Sequence, residues 1–126
     1  MKMTRAMAVS GLAATALLSS WPSAEAAHYD GSWTMVAETK RGHCGMIYIS
    51  LGVESGRIFS TGGSFAFYPI NVGGRVTTGG RARMTAIAGP RTAQGTGRFG
   101  ARRAEGTWHG RGPSGLCSGV WTANRD

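Results

Sequence analysis

Apolar and polar residues alternate with a period of two in short stretches of the chain, and glycine-rich segments separate these stretches. Alternation of this kind is typical of strands that bury one face, and no stretch has the period of 3.6 residues that predicts a helix. The pattern predicts eight short strands: Tyr29–Thr39, Cys44–Leu51, Gly56–Ser60, Phe65–Tyr68 with a bend at Pro69 before Ile70–Val72, Arg81–Ala88, Thr92–Phe99, one around Glu105–Arg111, and one around Cys117–Thr122.

The predicted fold is all-β: a single small antiparallel meander of about eight strands that closes, or curls strongly, into a barrel. Short connections without a helical crossover favour the pairing of each strand with the next. On three strands a tryptophan shares its parity with glycines, which indicates large and small side chains alternating inside a narrow, filled barrel. The predicted core residues are Trp33, Met84, Ala86, Trp108 and Trp121. A strand-swapped sandwich is the alternative arrangement.

Within Arg81–Ala88 the alternation places Met84 and three alanines on the inner face, with two arginines and Thr85 on the outer face. Ile87 is the exception, because an apolar side chain falls there on the outer parity. We expect either that this end of the strand is covered on both faces or that a bulge shifts the register there.

Residues 1–26 are predicted to be a cleaved secretory signal peptide. Lys2 and Arg5 supply the positive start, Met7–Leu18 the apolar run, and Ala24-Glu25-Ala26 the cleavage site. An apolar run of this length is too short to span a bilayer, so an uncleaved anchor is the weaker alternative. We therefore expect an exported, periplasmic or extracellular protein.

The remaining segment, 27–126, is expected to form one β-barrel domain without a transmembrane segment. Because an exported chain meets an oxidising compartment, Cys44 and Cys117 are predicted to form a disulfide rather than a metal site or a redox pair. Such a bond requires the second and the last predicted strands to lie close together. That proximity agrees with a closed or strongly curled sheet.

Charge favours anionic partners. The whole chain has 14 basic and 6 acidic residues, of which two basic and one acidic residue lie in 1–26, so 27–126 carry twelve cations against five acids, a net charge of +7. Eleven of the twelve are arginines, which suit bidentate contacts with carboxylates or phosphates. The expected partners are an acidic polysaccharide, lipid phosphate or an acidic protein. Arginine used simply for solubility is the alternative interpretation.

One group of cations is gathered by the predicted topology. Outward-facing basic residues on three consecutive strands would share one face, and two more arginines lie in the adjoining turn. This candidate anion-binding face consists of Arg81, Arg83, Arg98, Arg102, Arg103, His109 and Arg111. An ordinary solvated face is the alternative. Interleaved outward aromatic residues, which bind single-stranded nucleic acid, are missing from this set, so nucleic acid is a less favoured partner.

The sequence contains no convincing catalytic, cofactor or metal motif. Gly95–Gly100 has the spelling G-x-G-x-x-G, but it reads as a strand without the helix and the acidic residue that a dinucleotide site needs. Gly115–Gly119 resembles a nucleophile elbow, but a strand follows Cys117 and a disulfide partner exists. A His43/Cys44 metal site lacks a second ligand pair at zinc spacing. We expect no catalytic residues, no cofactor and no metal.

Two resemblances carry expectations. The start Tyr29-Asp-Gly-Ser-Trp33 and the end Cys117-Ser-Gly-Val-Trp121, with Gly106-Thr-Trp108 before it, resemble a group of small exported alphaproteobacterial proteins of uncharacterised function. This resemblance implies a shared barrel frame and no active site. Gly31-Ser-Trp33 followed by Cys44 is more loosely similar to the start of the periplasmic inhibitors of bacterial metalloproteases. Those are eight-stranded barrels with one disulfide that act through an N-terminal arm, so the similarity implies protease inhibition as an alternative function.

The expected function is therefore a non-enzymatic exported binding protein that contacts anionic envelope components or a protein partner through its arginine-rich face. Inhibition of a secreted protease is the first alternative. A small apolar ligand inside the barrel is a further alternative, which a core filled by the three tryptophans would disfavour.

Overall fold

A computed structural model describes residues 28–126, and the predicted signal peptide lies outside the described residues. These residues form ten strands: β1 (Gly31–Arg41), β2 (Met46–Glu54), β3 (Arg57–Gly62), β4 (Ser64–Phe65), β5 (Tyr68–Pro69), β6 (Asn71–Val76), β7 (Arg81–Ala88), β8 (Arg91–Phe99), β9 (Arg103–Gly112) and β10 (Gly115–Arg125). The described part of the chain contains no helix.

Eight of the ten strands form a closed antiparallel barrel in the order β1-β10-β9-β8-β7-β6-β3-β2. Neighbours in the chain are neighbours in the barrel, except that β3 pairs with β6 because β4 and β5 form a separate two-stranded hairpin between them. β1 closes the barrel by pairing with β2 along one edge and with β10 along the other. The predicted all-β barrel is therefore confirmed.

The hairpin corrects the prediction of the fourth strand. Phe65–Tyr68 is not a barrel strand, since Phe65 and Tyr68 face each other across a turn whose central residues Ala66 and Phe67 have φ values of 51° and 73°. The barrel strand at this place is β6, which starts after Pro69. A proline cannot donate a hydrogen bond to a ladder, which explains why pairing in the barrel begins only beyond it.

Ile87 also behaves differently from both expectations. The pairing of β7 with β6 and with β8 runs without a register shift through Ile87, so no bulge is present. The side chain is 48 % exposed, so the strand end is not covered on its outer face either. Ile87 is an apolar residue that points outward into solvent.

One end of the barrel, which we call the aromatic end, is closed by a cluster of rings. Trp33 and Trp121 are almost completely buried, and Phe99 lies between them with ring centroids 4.9 Å and 6.2 Å away. Tyr29 packs on Phe99 at 5.9 Å and covers the cluster from the N-terminal side. Burial of each large ring stabilises the fold by about 2 to 3 kcal/mol, so this end contains much of the core.

Arg125 secures the chain ends over this cluster. Its guanidinium lies 5.3 Å from the ring centroid of Trp33 and donates hydrogen bonds to the carbonyl oxygens of Ala101 at 2.7 Å, of His28 at 3.1 Å and of Asp30. The indole N–H of Trp33 in turn donates to the carbonyl of Tyr29 at 2.9 Å. These contacts hold the first described residues against the last strand.

The predicted pairing of large and small inner residues is realised around Trp121. Its ring lies against the backbone of β8 and β9, and its indole N–H donates to the carbonyl of Thr96 at 3.2 Å. A Cβ on Gly106 would lie 2.7 Å from the indole nitrogen of Trp121 and 2.7 Å from the Cα of Gly97. The glycines thus leave the space that the ring occupies.

The opposite end, which we call the disulfide end, carries the bond between Cys44 and Cys117, with the two Cα atoms 6.2 Å apart. Cys44 lies in the loop between β1 and β2, and Cys117 lies in β10 on the other side of β1. The predicted disulfide is therefore present, and it ties the β1–β2 loop to β10.

The interior is filled at the aromatic end only. Trp33, Met84, Trp108 and Trp121 are buried and Ala86 is half-buried, all pointing inward as predicted. Towards the disulfide end, however, two adjoining apolar cavities remain, each of about 80 Å³. The expectation of a completely filled barrel is wrong at this end, because small residues such as Ala86 and Ala93 stand between the larger side chains and leave space beside them.

The close contact at Gly106 makes a test of the packing. We expect Gly106→Ala to lower the free energy of unfolding by about 1 to 3 kcal/mol, because the added methyl group meets backbone atoms that cannot move aside. Gly73→Ala is the matched control. A Cβ there meets nothing within 4 Å, so the same change should be neutral or slightly stabilising. Urea unfolding of both variants measures the difference, and equal stabilities would contradict this account of the core.

The disulfide closes a loop with a sequence separation of 73 residues. The double variant Cys44→Ala/Cys117→Ala should lose up to about 4 kcal/mol of stability, because the unfolded chain regains the freedom that the bond removes. Urea midpoints with and without a reductant provide the measurement. The unmodified protein should move to the midpoint of the double variant when reduced, and the variant should not respond. If reductant left the urea midpoint of the unmodified protein unchanged, the disulfide would not contribute the expected stability.

Candidate anion-binding face

Three arginines stand side by side on the outer surface of the barrel. Arg57 on β3 is directly opposite Arg75 on β6, and Arg75 is directly opposite Arg83 on β7. We call these three residues the arginine row. Side chains opposite each other in antiparallel strands have Cβ atoms about 5 Å apart, and like charges in such positions repel each other. The row is thus a local concentration of positive charge in which the three side chains repel each other.

A second pair of arginines adjoins the row. Arg81 lies two residues before Arg83 on the same face of β7 and is directly opposite Arg98 on β8. All five side chains are exposed. We call the arginine row together with Arg81 and Arg98 the arginine face.

The acids nearest to the arginine face neutralise little of its charge. Glu54 contacts Arg57 at 3.6 Å, between side chains that are both largely exposed. Glu105 lies opposite Arg98 in the register, yet its carboxylate contacts Arg103 at 3.9 Å. Within residues 28–126 no ion pair involves the remaining four arginines of the face. Exposed pairs contribute little, so the positive potential of the face persists.

The structure brings part of the predicted set together. Arg81, Arg83 and Arg98 lie on the arginine face, Arg102 lies in the adjoining turn between β8 and β9, and Arg103 is the first residue of β9. His109 and Arg111 lie apart from them, towards the disulfide end. His109 is opposite Gln94 and Ser118, and Arg111 is opposite Thr92 and Leu116.

Two members of the row, Arg57 and Arg75, were not in the predicted set. Arg75 follows Gly73-Gly74, where two glycines hide the alternation that would have marked β6 as a strand. Arg57 becomes its neighbour only because the β4–β5 hairpin lets β3 pair with β6. A signal for Arg75 did exist, since Val72 and Val76 have the parity of inward residues.

Phe59 is the aromatic ring next to the row. The Arg57 guanidinium lies 5.0 Å from its centroid, and ring atoms Cε2 and Cζ occupy the position of a side chain at Gly52. The ring is half-buried and packs on the barrel backbone. The ring therefore packs against the Arg57 guanidinium. It does not form the series of open aromatic surfaces on which nucleic acid bases stack.

The five acids of the described residues are each engaged in a local contact. Glu38, Glu54 and Glu105 form ion pairs with Lys40, Arg57 and Arg103. Asp30 accepts the backbone N–H of Ser55 at 2.8 Å, and Asp126 accepts the hydroxyl of Thr34 at 2.7 Å. These contacts give the acids structural roles at turns and strand ends.

Other candidate chemistry is not assembled in the part of the chain that the structure describes. Cys117, in the segment that resembles a nucleophile elbow, is bonded to Cys44. Across residues 28–126, no group of three His, Cys, Asp or Glu side chains could hold a metal ion. No helix among these residues is long and apolar enough to cross a membrane.

Comparisons with known proteins add no family to this description. No protein-family model matches the chain, and no curated protein matches it.

Repulsion within the arginine row can be measured in the free protein. Arg75→Thr should raise the free energy of unfolding by up to about 1 kcal/mol at low salt, because it removes the central like charge and threonine suits a strand. The gain should shrink at high salt, which screens exposed charges. Arg111→Thr is the matched control, because its cross-strand neighbours Thr92 and Leu116 are uncharged. Urea unfolding at two salt concentrations measures the free energy of unfolding of each variant. Equal changes in both variants would disprove repulsion within the row.

Proposed function

We propose that this protein is a non-enzymatic binding protein of the cell envelope or the extracellular space that binds a linear acidic polymer through the arginine face. The observation that carries the proposal is the arginine row itself, three arginines in direct register on β3, β6 and β7. A bound anion between neighbouring guanidinium groups would convert their repulsion into attraction to a shared partner.

The shape of the surface supports a linear partner over a flat one. The arginine row runs across the strands, around the circumference of a closed eight-stranded barrel, and the surface is convex in that direction. A flexible acidic polysaccharide can follow this curve and meet each arginine in turn. A lipid bilayer touches a convex surface over a narrower strip, so lipid phosphate is the weaker of the expected partners.

The composition of the face agrees with this choice. Arginine presents a planar fork of donors that pairs with two carboxylate oxygens at once, and the face contains no lysine. Recognition by guanidinium groups spaced along a row favours a polymer with repeated acidic groups over a single small anion.

The first test is the salt dependence of binding. Polygalacturonate is offered to the purified protein, with neutral dextran as the control and vesicles of anionic phospholipid as the competing ligand class. An electrostatic contact made by about four arginines should weaken on the order of 100-fold between about 50 mM and about 200 mM salt. A flat salt response, or stronger binding to the vesicles than to the polymer, would overturn the proposal.

Variants assign the contact to the arginine face. Arg75→Gln/Arg83→Gln should weaken polygalacturonate binding and reduce the steepness of the salt dependence by about two charges. Arg91→Gln/Arg111→Gln removes the same charge at the disulfide end and should leave most of the affinity. Equal losses in both double variants would mean that net charge, and not the arginine face, accounts for binding.

Protease inhibition, the alternative function, finds no comparable support in the described residues. Those inhibitors act through a projecting N-terminal arm. Here Tyr29 is buried in the aromatic end, and Arg125 donates to the carbonyl oxygens of His28 and Asp30. The first described residues are thus part of the barrel packing.

A further inference from the structure

We infer that the disulfide end holds a second site, which binds one molecule of an anionic amphiphile. The alkyl chain of this ligand occupies the two apolar cavities inside the barrel, and its acid group lies at the rim beside Arg91 and Arg111. This site is separate from the arginine face and is independent of the proposed polymer binding.

The two cavities adjoin each other. Each has a volume of about 80 Å³, and they share the lining residues Ile47, Ala86, Ala93 and Trp108. Two of these four are alanines, so small side chains create the space and Trp108 forms one wall. Together the cavities match the volume of about 150 Å³ at which an engineered apolar cavity in another protein binds benzene. A hydrocarbon of about six carbons is therefore the matching occupant.

Water is a poor occupant of this space. A buried water needs two to four polar partners, whereas the shared walls present carbon atoms. The indole N–H of Trp108, the polar atom of that wall, already donates to the carbonyl of Glu38 at 3.3 Å. An alkyl chain would supply the contacts that the walls lack.

The rim of the outer cavity is positively charged. Arg91 and Arg111 contribute to its lining, together with Thr92 and Ser114, and no acidic residue does. Arg111 also lines a wider outer pocket of about 520 Å³, which it shares with Arg41 and His109 and which likewise has no acidic lining residue. The apolar space thus meets basic, solvent-facing surface at Arg111, the arrangement that suits an alkyl chain with an anionic head.

Arg91 and Phe65 cover the entrance. The stem of Arg91 crosses Gly112, where a Cβ would lie 2.6 Å from the Arg91 Cγ, and its guanidinium lies 5.2 Å from the ring centroid of Phe65. Phe65 belongs to the β4–β5 hairpin, which is outside the barrel ladder. The Arg91 guanidinium forms no ion pair within residues 28–126, so it is available to the acid group of a ligand.

The size and charge of the occupant are tested with a ligand series. Butanoate, hexanoate, octanoate and decanoate are titrated into the purified protein below their micelle concentrations, and octylammonium is the charge control. Affinity should rise about fourfold per added methylene until the cavities are filled, and then level off. The indole N–H resonance of Trp108 should shift with one-to-one stoichiometry, and octylammonium should bind at least tenfold more weakly than octanoate.

Two kinds of variant locate the ligand. Ala93→Leu places a larger side chain into both cavities and should weaken octanoate binding at least tenfold while the urea midpoint stays or rises. Ala86→Val is a smaller filler for the same purpose in case the leucine disturbs folding. Arg111→Gln should weaken octanoate about tenfold. Arg83→Gln, on the arginine face, is its matched control and should leave octanoate affinity unchanged.

The inference fails on any of three results. Affinity that continues to rise with chain length without levelling would indicate surface adsorption. Equal binding of octanoate and octylammonium would remove the role of Arg91 and Arg111. Undiminished binding by both filled variants would place the ligand outside the cavities. Because the polymer assay uses the other face, a failure here leaves the polymer proposal standing, and the reverse also holds.

Discussion

The pairing of β1 with both β2 and β10 is the interaction on which the rest of the structure depends. It joins the two halves of the meander and removes the exposed edges that an open sheet would have. An eight-stranded barrel is narrow, so its inner positions hold few large side chains. Trp33 and Trp121 take up the space at the aromatic end, and Gly97 and Gly106 face Trp121 because nothing larger fits there. The aromatic rings and the glycines are thus two results of one geometric constraint.

Closure of the barrel also determines where the charged side chains lie. The core of the described residues contains no buried polar or charged side chain, so every arginine is placed on the outside or at a rim. On so small a circumference, arginines from several strands become neighbours. Because the β4–β5 hairpin lies outside the barrel, β3 pairs directly with β6. This pairing places Arg57 opposite Arg75, which is itself opposite Arg83. We expect the row to lower the stability of the free protein, and the aromatic core and the disulfide to offset that cost.

Much of the fold can be predicted from the sequence where local alternation carries the information. The faces of β7 to β10, the inward tryptophans and the Cys44–Cys117 bond follow from parity and from the chemistry of exported cysteines. The prediction is incomplete where the register depends on pairing between strands that are distant in the chain. Arg57 and Arg75 meet only through the path of the chain around the β4–β5 hairpin, and Gly73-Gly74 carry no parity. The cavities could not be predicted either, since the volume left beside Ala86 and Ala93 depends on how distant side chains pack in three dimensions.

The two ends of the barrel differ in a way that bears on binding. At the aromatic end, rings pack on rings and Arg125 holds the chain ends, so the arginine face near that end stands on a rigid support. At the disulfide end, the bond between Cys44 and Cys117 holds strands around a partly empty interior. Cys44 and Cys117 both line the outer cavity, so the bond that stabilises the fold also forms part of the wall of the proposed second site.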